Sequence, residues 1–456
     1  MTFSPQRLYE SKLSQLPRAS RWWIAYSGGL DSHCLLHAIT EWAPKLPPLT
    51  AIHVNHGLNP SAAQWAAHCA SVCAERQVPF QSLEVKVTPN PGESLEAAAR
   101  TVRYSALAHC MGSGDVLLTA HHQDDQAETL LLQLLRGAGP RGLAAMPVLV
   151  PFYAGYLARP LLDDSRSALL AYARSVALSW IDDDSNAELR YQRNDLRHRV
   201  FPVLLKRWPG LSATLARSAS HQAEAAQLLD VLAAQDLHTL LGPEPNTVQI
   251  PALLALGAAR ARNALRYWIR TTGHDTPTAS LIERLLAEVV LAKRDAIPLL
   301  TWCDTEVRRY RDLLYLMRPA PPLPGPTWAI DWADLNTPLE LPWGTLTAQW
   351  RVGAGIAESA LAQGVTVRLR RGGERCRFVG NPHHRPLKDF WQEAGIPPWE
   401  RLRTPLLFLG EMLVAVSGLG VCHDFQTPPG ERGVVIVYAN KRLRNNTVET
   451  YNATAV

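Results

Sequence analysis

The sequence predicts an α/β protein: a parallel, doubly wound sheet, followed by a helical domain and a small α+β C-terminal domain. Three observations carry this. Over about the first 140 residues, short apolar runs alternate with longer helical patterns, which implies parallel strands with helices on both faces. Polar motifs fall at the carboxyl ends of those runs, where such sheets bind ligands. A stretch that cannot hold a regular element, Arg318-Pro319-Ala320-Pro321-Pro322-Leu323-Pro324-Gly325-Pro326, marks a semi-rigid boundary before the last domain. The expected domains are residues 1–210, 211–318 and 327–445.

The first strand, Trp22–Tyr26, runs into Ser27-Gly28-Gly29-Leu30-Asp31-Ser32, and a helix follows over Ser32–Ile39. A Gly pair between strand and helix lets the backbone turn sharply and brings N–H groups close to a ligand. The helix N-terminus favours an anion through its free N–H groups and its dipole. Ser27 and Ser32 add hydroxyls. Asp31 is out of place in an anion cradle unless a divalent cation shares the site. The segment therefore reads as a phosphate loop with a metal- or proton-handling carboxylate. The plain alternative is a strand-to-helix turn capped by Asp31 or Ser32. No Walker-type Gly-x4-Gly-Lys-Ser/Thr occurs.

The next strands are Leu49–Val54, Phe80–Val85 and Val116–Ala120, with helices over Ser61–Gln77, Ser94–Met111 and Asp124–Leu135. The second strand ends in His53-Val54-Asn55-His56-Gly57-Leu58; by residue type alone these histidines read as polar groups satisfied at a strand end. Arg100 and Arg103 share a helix face at i, i+3, either to clamp phosphates bidentately or as a solvated basic face. After the fourth strand His121, Asp124, Asp125 and Glu128 fall within eight residues at a helix start. That is a better site candidate than a set of caps, for Mg²⁺, a substrate ammonium, or both. Arg136–Gly142 contains Gly-x-Gly-x-x-Gly, but it follows a helix and holds Pro140. It reads as a flexible loop at the mouth of the site, not as a dinucleotide fingerprint.

Residues 159–207 are polar and rich in turns, with Asp182-Asp183-Asp184-Ser185-Asn186 as a loop or cap. Arg190, Arg193 and Arg197 then recur at helical spacing before Arg199, Lys206 and Arg207, and Asp195 is the only acid between Arg190 and Arg207. Such a helix suits phosphates; a solvated face is the alternative. Residues 211–317 read as helical, chiefly Leu211–Leu241, Ala252–Thr271 and Ser280–Val290. Beyond the proline stretch, Leu339–Arg351 and Val365–Arg371 suggest strands. Between Arg368 and Arg403, nine Lys or Arg residues stand against four acids, with Phe378, Phe390, Trp391 and Trp399 interleaved. The mixture suits RNA unless the aromatics are core. From about Asn445 the chain reads as disordered.

With 456 residues, 47% hydrophobic and 19% charged, the chain can bury sizeable cores. A formal net charge of +5 permits an anionic partner without requiring one. No apolar run is long enough to span a bilayer, and the polar stretch Met1–Ser20 shows no secretory signal. Seven scattered cysteines without Cys-x-x-Cys suggest reduced thiols in a cytoplasm. Cys69 and Cys73, one turn apart with no further ligands nearby, read as core or helix-surface thiols.

Ser27–Ser32 resembles the PP-loop of the ATP pyrophosphatases, which cleave ATP between its α- and β-phosphates. His53–Leu58 resembles the His-Val-Asn-His-Gly-Leu box of one branch. With Asp184-Ser185-Asn186, Arg193-Asn194, Arg197, Arg370-Arg371-Gly372-Gly373-Glu374-Arg375 and the run Pro386–Trp399, nearly the whole chain is similar to the tRNA(Ile)-lysidine synthetase family. The resemblance implies that ATP adenylates the C2 oxygen of the wobble cytidine in the CAU anticodon of an isoleucine tRNA. The amino group of free lysine then displaces AMP.

The same resemblance implies ATP and Mg²⁺ as cofactors. It puts Ser27, Gly28, Gly29, Leu30, Asp31, Ser32, His53, Asn55 and His56 at the nucleotide, and Asp31 and Asp125 at the metal. It makes Asp31, Arg100, Arg103, His121, Asp124, Asp125 and Glu128 catalytic, the separate duties of the acids being open. Arg190, Arg193, Arg197, Arg371, Arg375 and Lys388 fall to the tRNA. The enzyme is expected in the cytoplasm, without a membrane, and a homodimer is one oligomeric option. Two other readings stand beside it. A PP-loop tRNA thiolase needs paired cysteines. A non-catalytic tRNA-binding paralogue would tolerate loss of Asp31 or of the His121–Glu128 cluster, both of which are intact.

Overall fold

A computed structural model of the protein describes residues 2–57, 59–89, 94–182, 192–244, 246–293, 295–325 and 327–440. The chain forms two compact units, Met1–Leu229 and Asp230–Val456. Leu58, residues 183–186, Arg190 and the tail from Asn445, all of which carried sequence expectations, lie outside the described residues.

The first unit runs α1 (Pro5–Ser11), β1 (Trp22–Ala25), α2 (Leu30–Thr40), β2 (Leu49–Asn55), α3 (Ala62–Glu75), β3 (Phe80–Glu84) and α4 (Leu95–Cys110). Then come β4 (Val116–Leu118), α5 (Gln123–Leu135), α6 (Pro140–Leu143), β5 (Leu149–Phe152), β6 (Gly155–Ala158) and α7 (Arg166–Ser175). The strands form one sheet in the order β3-β2-β1-β4-β6-β5, parallel throughout except for the β5–β6 hairpin. Trp22, Trp23, Ile24, Val116, Leu117 and Leu118 are all buried, because helices on both faces leave no polar side to alternate with. The chain winds from β1 out to β3 and returns to lay β4 on the other side of β1. The crevice between the carboxyl ends of β1 and β4 is therefore the topological switch point, where sheets of this kind bind ligands.

Local chemistry sets the helix starts around that crevice. Ser94 caps α4 by accepting from the Ala97 N–H at 3.2 Å, and Ser165 caps α7 from the Ala168 N–H at 3.2 Å. At α5 the Asp125 N–H donates to His122 Nδ1 at 3.4 Å, while the His122 N–H donates to Asp125 Oδ2 at 3.0 Å. Further on, α8 (Gln192–Asp195), a π-turn at Leu196–Val200 and α9 (Phe201–Arg207) run as one basic helix. Its Leu196 and Phe201 pack on Ala127 of α5. The 30-residue helix α10 (Leu211–Leu240) follows.

Two expectations are corrected. Arg136–Gly142 is a turn followed by the one-turn α6, and none of it lines the cavity described below. The middle segment is chiefly helical, and only as far as Val290. There α11 (Ile250–Ala255), α12 (Ala258–Thr271) and α13 (Ala279–Arg284) are followed by a π-turn at Leu285–Val290. Gly257, at φ +78°, breaks the helix expected over Ala252–Thr271. Residues 299–317 form β8 (Leu299–Trp302), β9 (Thr305–Tyr310) and β10 (Leu313–Met317), antiparallel and joined to β7 (Thr247–Gln249) in the order β7-β10-β9-β8. Leu300, Val307, Leu314 and Leu316 point from this sheet into one core with Trp268 and Ile269 of α12. Their place on one face of the sheet, not helical periodicity, explains their spacing.

After the proline stretch, two small antiparallel sheets share a core that includes Trp332, Trp343, Leu346, Val367, Leu407 and Val434. Trp399 meets Tyr310 and Tyr315 edge-on, so the segments before and after the prolines pack together. Among the described residues, no helix is long and apolar enough to cross a membrane.

Candidate active site

A cavity of about 980 Å³ opens at the β1/β4 switch point. One wall is the Ser27–Ser32 turn. Gly28 takes φ +82°, and a Cβ there would come within 2.6 Å of Ile181 Cδ1 and 2.9 Å of Cys69 Sγ, so only glycine fits. The turn is tied internally: Ser27 Oγ lies 3.0 Å from Ser32 Oγ, and the Gly29 N–H donates to Ser27 Oγ at 3.3 Å. The Ile181 N–H braces it from behind, donating to the Gly28 carbonyl at 2.9 Å. This preformed concavity of N–H groups and hydroxyls is suited to phosphate oxygens. Asp31 opens α2 within it, and its Oδ1 is buried without a hydrogen-bond partner. An unmatched carboxylate oxygen in an anion cradle is the observation a cation would satisfy.

The second wall is the end of β2. His53 Nδ1 is 3.0 Å from the Tyr26 carbonyl oxygen, and Arg103 Nε donates to His56 Nε2 at 3.1 Å. Burial first, then the Arg103 charge and His53, push His56 down to about 4, so it stays neutral. Asn55 accepts from the Gly57 N–H at 2.8 Å and shapes the turn. From α4, Arg100 and Arg103 both reach the cavity, as their shared helix face requires. Arg100 lies over the ring of Tyr104, with its guanidinium carbon 4.9 Å from the centroid.

The third wall follows β4. Thr119 Oγ1 is 2.9 Å from His121 Nδ1. Burial, with the charges of Arg159, Arg193 and Arg100, holds His121 well below the usual imidazole range, against the pull of Asp125. The acids behave differently from expectation. Asp31 and His121 line the cavity; Asp124, Asp125 and Glu128 do not. Asp124 accepts from Ser212 Oγ at 2.7 Å and from the Arg166 N–H at 2.8 Å, an anchoring duty for α7 and α10. Glu128, only 3% exposed, is clamped by Arg193 Nε at 2.8 Å and Arg197 Nε at 2.7 Å. Asp125 Oδ1 accepts from Arg193 at 2.9 Å and from Arg197 at 3.2 Å. Burial would raise the Asp125 carboxyl, but His122, Arg193 and His121 outweigh it and hold it below the ordinary carboxylate range.

The expectation of an open basic face at Arg193 and Arg197 is corrected accordingly. Both guanidinium groups turn inward, because leaving Asp125 and Glu128 buried without counter-charge would cost more than any exposed contact returns. The π-turn lets Asn194, Arg197 and His198 all meet the cavity. Trp65, Tyr104 and His198 on the cavity wall, and His122 against Asp31, are residues that sequence reasoning did not single out. For His122 a signal existed, since in the pair His121-His122 one residue faces the crevice and the other caps the helix. No cysteine lines the cavity among the described residues, so the paired thiols of a sulfur-transfer enzyme are absent from it. No cluster of three or more His, Cys, Asp or Glu side chains set to hold a metal occurs among the described residues. That does not weigh against Mg²⁺, which binds through one or two carboxylates with substrate phosphates and keeps its waters.

In the second unit Arg371, Arg375 and Lys388 are exposed. Arg375 donates to the His384 carbonyl at 2.7 Å. Arg377 and Arg385 are paired with Asp424 and Glu393. Phe390, Trp391 and Trp399 are buried, so the interleaved aromatics are core rather than an RNA-stacking surface.

Family models match three stretches: a PP-loop domain over residues 5–204, a TilS substrate binding domain over 249–315 and a TilS substrate C-terminal domain over 365–438. A tRNA(Ile)-lysidine synthase of Alkalilimnicola ehrlichii is 46% identical over 434 residues, spanning 94% of this chain and 96% of that protein. One from Coxiella burnetii is 43% identical over the same shares, 94% and 96%. One from Methylococcus capsulatus is 44% identical, covering 91% of this chain and 95% of its own length.

Proposed function

The chain belongs to the tRNA(Ile)-lysidine synthase family, and from that premise we propose what the β1/β4 cavity does. ATP adenylates the C2 oxygen of the wobble cytidine in a CAU-anticodon isoleucine tRNA, releasing pyrophosphate. The amine of free lysine attacks C2, the C–O bond to AMP breaks, and lysidine is left. The observation that carries this reading is the phosphate cradle at Ser27–Ser32 holding the unmatched Asp31 oxygen.

Ser27, Gly28, Gly29 and Ser32 hold the terminal phosphates through N–H and hydroxyl donors. The donor set fits Mg²⁺, which Asp31 would hold, and the ion supplies charge neutralisation on the phosphates when bound. Arg100 and Arg103 face the cavity and neutralise charge that grows on the departing pyrophosphate. His121, kept neutral, can accept a hydrogen bond from the lysine amine without repelling it. Asp125 and Glu128 act one step back, as the carboxylates that hold Arg193 and seat Arg197 at the wall. A cytidine reaches such a recess only when flipped out of its stack.

Residues 1–210 are proposed as the catalytic domain, 211–318 as the middle domain and 327–445 as the tRNA-binding domain, working in the cytoplasm. Arg371, Arg375 and Lys388 then take tRNA phosphates, which fix register without reading sequence. Product analysis tests the phosphate chemistry. The reading expects one AMP and one pyrophosphate per lysine consumed; stoichiometric ADP and orthophosphate would overturn it.

A further inference from the structure

We infer that Trp65 is the stacking platform for the adenine base of ATP. The inference rests on the ATP reading above and adds a residue to it.

Trp65 lies on the first turn of α3, half-buried, with its side chain on the cavity wall. Cys69, one turn further along the same helix face, has its sulfur 3.7 Å from His53 Nδ1 and against Gly28 of the phosphate cradle. One helical turn advances about 5.4 Å. Trp65 is thus set about one helical turn from the residue that touches the cradle, on the helix that packs against β2. A nucleotide whose phosphates fill the Ser27–Ser32 turn can lay its base against this ring.

The ring has no aromatic partner of its own. The other aromatic rings on the cavity wall have partners: Tyr26 meets His33 edge-on, and Tyr104 meets Phe152 edge-on beneath Arg100. Among the described residues Trp65 has no ring contact and no hydrogen bond, and it joins none of the hydrophobic core clusters. A large ring on a cavity wall that no other ring covers can offer its face to a ligand. Val54 and Ala99 add apolar wall to the same cavity. Stacking recognises any base through its π-face, so the ring contributes affinity rather than discrimination.

The test is equilibrium binding of a non-hydrolysable ATP analogue and of inorganic tripolyphosphate to wild type, Trp65→Ala and Trp65→Phe, with tRNA binding measured alongside without nucleotide. Trp65→Ala should bind the analogue about 5- to 100-fold more weakly. Trp65→Phe should recover most of that loss. Tripolyphosphate, which has no base, should bind all three equally. Unchanged analogue affinity in Trp65→Ala would overturn the inference. So would an equal loss for tripolyphosphate, which would mean a damaged cradle. A loss confined to tRNA would give the ring to the flipped cytidine instead. Failure of the wild type to bind the analogue at all would sink the ATP reading itself, a distinct outcome.

Discussion

His122 Nε2 lies 3.5 Å from Asp31 Oδ2, and this contact joins the phosphate loop after β1 to the helix after β4. The same nitrogen is 3.4 Å from Asp125 Oδ2. His122 is 2% exposed. Burial pulls its basicity down, but the hydrogen bond to Asp31 and the charges of Asp125, Asp31 and Asp124 raise it above the usual imidazole range. One buried imidazole thus ties Asp31 of the loop to the start of α5.

Replacing His122 by Ala should lower the rate of AMP release by about 10- to 100-fold, the usual cost of losing a group that orients a ligand-binding side chain. It should also remove about 1 kcal/mol of stability with the α5 cap. Asp31→Ala should abolish adenylation while leaving tRNA binding nearly intact. Steady-state rates and filter-binding assays read both. Wild-type turnover in either variant would remove the assigned role.

Glu128→Gln should destabilise the protein by about 3 kcal/mol, because it removes the buried carboxylate that Arg193 and Arg197 share and leaves both guanidinium groups to Asp125 alone. Adding Arg197→Met to Glu128→Gln should restore part of the loss. Chemical denaturation of the single and double variants measures the coupling. Strict additivity would show that the pair does not act as a unit.

Much of this was legible beforehand, and the exceptions share a cause. Local patterns revealed the strands, the Gly28 turn and the Arg100–Arg103 face, because each depends on neighbours close in sequence. What could not be read was direction over distance. Arg193 and Glu128 are 65 residues apart, and only the fold shows that the arginine turns towards the acid. Asp124 looked like a site acid until Ser212 and Arg166 were found at its oxygens. The strands over 299–317 were hidden because their apolar content matches that of a buried helix, and the sheet face shared by Leu300, Val307, Leu314 and Leu316 appears only against Trp268 and Ile269.

His37, buried against Tyr172 with Nδ1 2.8 Å from the phenol oxygen, is pushed below its ordinary value by burial and by Arg76. Its neutral form is therefore favoured by folding. The unfolded chain binds the proton more readily, so this contribution to stability is full above the unfolded value near 6.5 and is lost as the pH falls below it. Urea midpoints from pH 7.5 to pH 5 should fall for wild type, and less steeply for His37→Gln. Equal slopes would show that His37 carries none of the acid sensitivity.

Lys388→Ala combined with Arg371→Ala should weaken tRNA binding and flatten its salt dependence. Each lost phosphate contact removes about 0.7–0.9 from the slope of log K against log salt. Modification of a minimal anticodon stem-loop should be untouched. An equal fall in stem-loop activity would show that these residues support the fold or the catalytic site.

The most direct measurement is incubation of the protein with ATP, Mg²⁺, isotopically labelled lysine and a CAU-anticodon isoleucine tRNA, followed by digestion and nucleoside analysis. The account predicts label in a single modified cytidine at the wobble position, matched by equimolar AMP and pyrophosphate. Full consumption of ATP with an unlabelled wobble cytidine, or a sulfur-bearing base in its place, would contradict it.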